Sequence, residues 1–318
     1  MPNTNQIFAL CPTKTADKFE LEKVWSQKSS GLAAGYTSAV PVQVGKQSVL
    51  FAYNKAAQRT DLYLLTDANP WVNLQSKKVS LDGGPWDSLN TFVLGNEPYV
   101  MTYRADDGTF GFFHVGQDLL VSSPYKMVFP RNTPTKGFTT VAPVTSLGQQ
   151  YVLGYNFDDG TVAAFSISVI PSSADGTPPL LGLNVWYHHW AKGWTHFAFF
   201  QLGGANFFFK INTAKLNVNI DHLQDNPALG TVEVGSQLQA QMPDALSVSL
   251  AAHVPWANGE PYLLTYVASS GDTQVFRIHA DCLGWTRVTE SSTGAGTSMI
   301  VPYRIGNTTY ILFYGGGK

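Results

Sequence analysis

Apolar and polar residues alternate with a period of two through most of this chain, the spacing that sends successive side chains to opposite faces of a β-strand. One recurring pattern divides the alternation into units. It reads small residue, aromatic, Thr or Ser, an apolar run, a Gly turn, then a second apolar strand that usually ends in Tyr. Copies begin at Gly35, Pro85, Gly137, Gly193, Met242 and Gly296, which are 50, 52, 56, 49 and 54 residues apart. That period suits four-stranded propeller blades rather than helical solenoids. Between the first two strands stand Gly45-Lys46, Gly95-Asn96, Gly203-Gly204, Asn258-Gly259 or Gly306-Asn307, residues that tolerate the positive φ of tight hairpins. A polar turn such as Ala105-Asp106-Asp107-Gly108 then leads to a short third strand (TFGFFHV, TVAAFSI, TQVFRIH). A weaker, more polar fourth strand is predicted over 71–78, 124–129, 185–190, 231–236 and 285–290, as suits an outer rim.

The last copy stops at Tyr314 and lacks its third and fourth strands, whereas residues 6–10 (QIFAL) read like third strands and 19–25 (FELEKVW) like fourth strands. The expected fold is therefore all-β, a single six-bladed propeller over 1–318 whose N-terminal strands complete the last blade. The segment 171–179 (PSSADGTPP) reads as a surface loop of the fourth blade.

Composition narrows the function classes. With 44% hydrophobic residues the chain can fill a large core, while only 13% are charged and the net charge is −2, so it offers no basic field for nucleic acid or an anionic membrane. The N-terminus has neither a basic region nor a long apolar run, and reads as cytoplasmic. Cys11 and Cys282 are too few for a disulfide framework; both are expected near third strands of adjacent blades, where a bridge is conceivable. There is no GxSxG elbow, P-loop, GxGxxG or HExxH, and no cofactor is expected.

Candidate chemistry gathers at the end of the channel where the chain enters each first strand and leaves each second one. There the pattern lines up Tyr36, Trp86, Phe138 and Trp194, with Asp87, Asp244, Tyr266 and His196 beside them. Tyr53, Tyr103, Tyr155, Tyr266 and Tyr314 recur in five of six copies, which reads first as packing between blades. Function is better sought where copies differ. The fourth is the most divergent, with Ile211 in place of the Tyr, Lys210 beside it, and His188, His189 and His196 among Trp186, Trp190 and Trp194. Adjacent histidines on a strand point to opposite faces, so a metal site is not expected. Arg104 and Arg131 are unique charges expected on the channel face.

Two readings follow. A lectin would repeat polar clamps in each blade, yet equivalent positions hold Thr37, Asp87, Thr139 and Thr195. The G-[YFW]-T-[ST] motif, its Gly turn and the Tyr-terminated strand, taken over the whole chain, resemble the fungal hetero-Diels-Alderases of tropolonic sesquiterpene biosynthesis. That resemblance implies a cofactor-independent enzyme joining a tropolone quinone methide to a humulene-type alkene. Under it Tyr36, Trp86, Asp87, Phe138, Trp194, Asp244 and Tyr266 would bind the substrate, and His196, Arg104 or Tyr155 would polarise the heterodiene oxygen. The expected partner is an apolar small molecule, with a homodimer left open.

Overall fold

The computed structural model describes residues 5–13, 18–27, 32–68, 71–74, 79–146, 148–170, 180–226, 231–241, 247–256 and 259–315. Among these residues the regular structure is β, and no helix is long and apolar enough to cross a membrane. The chain opens with β1 (Gln6–Pro12) and β2 (Phe19–Ser26). The first blade follows as β3 (Ser38–Val44), β4 (Gln47–Asn54), β5 (Arg59–Leu65) and β6 (Val72–Leu74), and the second as β7 (Ser88–Leu94), β8 (Glu97–Arg104), β9 (Thr109–Val115) and β10 (Val121–Val128). The third is β11 (Thr140–Ser146), β12 (Gln149–Tyr155), β13 (Thr161–Val169) and β14 (Leu180–His189), and the fourth is β15 (His196–Leu202), β16 (Ala205–Asn212), β17 (Asn217–Asn226) and β18 (Thr231–Gln241). The fifth is β19 (Leu250–Pro255), β20 (Pro261–Tyr266), β21 (Asp272–Ile278) and β22 (Trp285–Ser292), before β23 (Met299–Ile305) and β24 (Thr308–Tyr314).

The sixth blade is assembled from both ends of the chain. β1 lies antiparallel between β24 and β2, with Gln6 opposite Phe313 and Leu10 opposite Thr309. The protein is thus a six-bladed propeller of four-stranded antiparallel blades. The second and third blades also touch at the rim, where Met127 and Val128 pair in parallel with Leu180 and Leu181.

Because each blade is apolar on both faces, its core lies at its seams with its neighbours. Six clusters of buried side chains sit there: Leu312 and Tyr314 meet Tyr36 and Leu50, for example, and Ile220 and Phe209 meet Leu263 and Phe276. The second strands carry most of this burial, and every residue of β20 is buried.

Three expectations need correction. The fifth copy does not begin at Met242: the Ser249 amide donates to the Tyr266 carbonyl at 2.8 Å, the bond that Thr37 makes to Tyr53 and Thr195 to Ile211, so Val248 holds the place of the motif aromatic. Cys11, on β1, and Cys282, in the turn after β21, do lie near third strands of adjacent blades, but both are free thiols and form no bridge. The segment 171–179 joins β13 to β14 in the third blade, not the fourth, and lies outside the described residues, as do 75–78 of the fourth strand expected after Trp71.

Candidate functional site

The repeated tyrosines and motif aromatics form a clasp at each seam. Each tyrosine ends a second strand and reaches the backbone that enters the next blade. The Tyr155 hydroxyl donates to the Ala191 carbonyl at 3.0 Å and accepts from the Trp194 amide at 3.3 Å. Tyr103 does the same with Thr135 and Phe138, Tyr266 with Gly294 and Thr297, and Tyr314 with Ala33 and Tyr36, while Tyr53 accepts from the Trp86 amide. Burial pushes the Tyr103 hydroxyl up to about 12 and raises Tyr155 and Tyr314 as well, so these phenols stay protonated at neutral pH. Tyr36, Trp86, Phe138 and Trp194 are each 6% exposed or less and plug the seams.

The seam between the fourth and fifth blades has Ile211 where others have Tyr, and there His196 makes the connection. Its Nε2 donates to the Ser249 carbonyl at 2.9 Å while Nδ1 faces the Thr195 hydroxyl at 2.8 Å. Burial lowers its pKa, which holds the ring neutral in this bridge. Arg104 is paired with Asp107 and also donates to the Gly83 carbonyl, with its guanidinium 5.6 Å from the Trp86 ring centre. Asp87 pairs with Lys55 at 2.5 Å and accepts from the Ala105 amide at 2.7 Å, taking over the turn-capping bond that Thr139 makes to Phe157. Asp244 lies outside the described residues. The described candidates therefore stand at successive seams around the ring. Arg131 stands apart at the rim, beside Tyr187 and Asn184. Among the described residues no group of three His, Cys, Asp or Glu side chains could hold a metal ion.

The divergence of the fourth blade has a buried cause. Lys210 forms an ion pair with Asp221, and its ammonium lies 3.8 Å from the Trp190 ring centre and 4.6 Å from that of Trp194. Burial lowers the Lys210 pKa, and the Asp221 charge works the other way. Opposite register positions put Phe8, Tyr63, Phe113, Phe165 or Phe276 in the place of Asp221 in the other blades.

A cleft opens at the other end of the channel, where the first two strands of the third to fifth blades turn. Its volume is about 400 Å³, within the range of small-molecule sites, and it is lined by Val144, Phe199, Phe200, Phe207, Pro255 and Trp256 with Thr145, Gln201, Asn206, His253 and Glu260 as its polar groups. Phe200 and Phe207 stack with ring centres 5.7 Å apart, and His253 lies 6.1 Å from Phe200. Burial pushes the His253 pKa down to about 4, so at neutral pH the ring is an uncharged donor and acceptor. Asn206 is 4% exposed, and among the described residues its Nδ2 has no hydrogen-bond partner, a state that costs about 1–3 kcal/mol in a folded protein. None of these residues was singled out from the sequence. The run of Phe199, Phe200, Phe207, Phe208 and Phe209 reads as core, and only its crowding into one copy marks it.

No family model matches the sequence, and no curated protein matches it. Solved structures do. The chain is similar to a putative 6-phosphogluconolactonase from Bacteroides fragilis, at a TM-score of 0.54 and 14% identity over 93% of this chain and 84% of that one. It is similar to the Aleuria aurantia lectin, solved with Fucalpha1-6GlcNAc, at a TM-score of 0.54 and 11% identity over 89% and 90%. A Lactobacillus plantarum protein follows at 0.53 and 13% over 94% and 85%. At these identities the likeness shows the fold alone: neighbours with one architecture carry names as different as lactonase and lectin.

Proposed function

We propose that this protein is a cofactor-independent enzyme acting on an apolar, ring-bearing small molecule held in the cleft across the third to fifth blades. The observation that carries this reading is an aromatic-walled cleft built from Phe199, Phe207, Trp256 and the neutral His253. The cross-strand pair Gln201–Asn206 at its edge is replaced by Gln43–Ser48, Val93–Pro98, Thr145–Gln150, Pro255–Pro261 and Arg304–Thr309 elsewhere, so no polar clamp repeats in every blade as multivalent sugar binding would need. Among the described residues no Lys or Arg lines the cleft and Glu260 does, which disfavours a phosphorylated or carboxylated substrate.

In its finer form the reaction is a hetero-Diels-Alder addition between a tropolone quinone methide and a humulene-type alkene. Two apolar partners held at contact distance lose their translational freedom before reaction, and a hydrogen bond to the heterodiene oxygen strengthens as charge gathers there. The chain needs no redox group for that step, since the new bonds form from the reactants' own electrons.

The test is incubation of the purified protein with both reactants, following the adduct by chromatography and mass. Acceleration and a single stereoisomer are expected, with at least a tenfold loss in Trp256→Ala. Unchanged rates, together with no thermal stabilisation by terpenoids and a positive glycan array, would replace this reading with the lectin.

A further inference from the structure

Within the proposed cleft, the amide of Asn206 is oriented by its neighbours. Gln201 donates from Nε2 to the Thr145 carbonyl of the preceding blade at 3.1 Å, so that atom is a nitrogen. The same Nε2 lies 3.0 Å from the Asn206 side chain, which must therefore present an oxygen to it. The other Asn206 atom is then the NH₂ group, and it is the buried Nδ2 that finds no partner.

A buried donor without an acceptor is uncommon in a folded protein and calls for a cause. The first blade solves the same position differently: Ser48 fills it and spends its hydroxyl on Gln43 and on the Arg304 carbonyl of the preceding blade. Asn206 makes no such second bond; in the fourth blade it is Gln201 that donates to the carbonyl of the preceding blade, at Thr145. The fourth blade thus keeps the seam contact and leaves an amide donor over, in the blade that supplies Phe199, Phe200 and Phe207 to the cleft.

We propose that Asn206 is the specificity-determining donor of this cleft, hydrogen-bonding an uncharged acceptor oxygen, a ketone or quinone-methide carbonyl, on a ring system packed against Phe207 and Trp256. Gln201 is a positioning residue that holds the amide in the donating orientation. The acceptor is a carbonyl rather than a carboxylate or phosphate, because the charged side chain that lines the cleft is Glu260, which repels anions. His253, neutral under the same conditions, adds a second uncharged contact and no countercharge. This inference rests on the proposed function in taking the cleft as the ligand site.

The test compares two probes of one shape, 1-tetralone and tetralin, which differ by a carbonyl oxygen. Affinity is read from quenching of tryptophan fluorescence and from thermal shift, in the wild type, Asn206→Ser, Asn206→Asp and Gln201→Ala. Asn206→Ser introduces the residue that the first blade already accommodates, and an unchanged melting temperature without ligand confirms its fold. Wild type is expected to bind the ketone about tenfold more tightly than the hydrocarbon. Asn206→Ser and Asn206→Asp are expected to bring that ratio close to one while leaving tetralin affinity unchanged, and Gln201→Ala to reduce it severalfold. A ketone preference that persists in Asn206→Ser and Asn206→Asp, or is absent from the wild type while both probes bind, overturns the role of Asn206 and leaves the cleft standing. Failure of either probe to bind, with Trp256→Ala indistinguishable from wild type, removes the cleft itself.

Discussion

Lys210 and Asp221 form an ion pair in which each side chain is only 4% exposed, inside the seam between the third and fourth blades. Asp221 stands where every other blade has an aromatic ring, and Lys210 lies against Trp190 and Trp194. One substitution accounts for the other. A carboxylate among rings needs a cation, and a cation reaching into the same space needs the faces of two indoles as well as the carboxylate.

Removing one member should therefore cost far more than removing both. Lys210→Met leaves the Asp221 charge uncompensated and is expected to lose about 3–5 kcal/mol in urea unfolding. Lys210→Thr with Asp221→Phe restores the pairing of the second blade, where Thr102 and Phe113 hold these positions, and is expected to recover most of that loss. A double variant no more stable than Lys210→Met would show that the ion pair has a role the aromatic pairing cannot replace.

The tyrosine clasps give a second expectation. Tyr155→Phe keeps the ring in the seam but strips the Ala191 carbonyl and the Trp194 amide of their shared partner, at an expected cost of about 1–3 kcal/mol. Tyr187→Phe serves as the control, since Tyr187 is 48% exposed and its substitution should stay within about 0.5 kcal/mol. Equal melting temperatures for the two variants would refute the clasp.

These relationships show what period and turn chemistry can carry. Strand alternation, Gly turns and the short apolar segments at the N-terminus marked the blades and the completion of the sixth, because each is a local signal with a fixed geometric meaning. The fifth register slipped because Val248 replaces the aromatic on which the motif depends, while Met242-Pro243-Asp244 imitates Pro85-Trp86-Asp87. Lys210 stood out as a departure between copies, but its partner Asp221 lies outside the repeated motif, on the neighbouring third strand, and could be found only by pairing β16 with β17. The cleft was harder still. Whether Phe199 and Phe207 face a seam or open space is decided by where neighbouring blades stop, and a single strand's pattern holds no record of that.

The neutral His253 makes stability depend on pH in a direction that can be worked out. Its folded pKa is pushed down to about 4 by burial, against about 6.5 for a solvated imidazole. Between those values the unfolded chain binds a proton that the native chain does not, so stability rises with pH across this window and falls as the solution is acidified through it. Above about pH 6.5 neither state is protonated and the group contributes no slope. The full difference is at most about 3 kcal/mol, reached only near pH 4. His253→Phe keeps an aromatic ring beside Phe200 and removes the titration, whereas His196 and the carboxylates remain in both proteins and cancel in the comparison. Urea unfolding at pH 7 and pH 4.5 should therefore show the wild type losing about 2 kcal/mol more than His253→Phe. If the two proteins lose the same amount, the ring takes up its proton inside the fold, and an uncharged wall at this point of the cleft is ruled out.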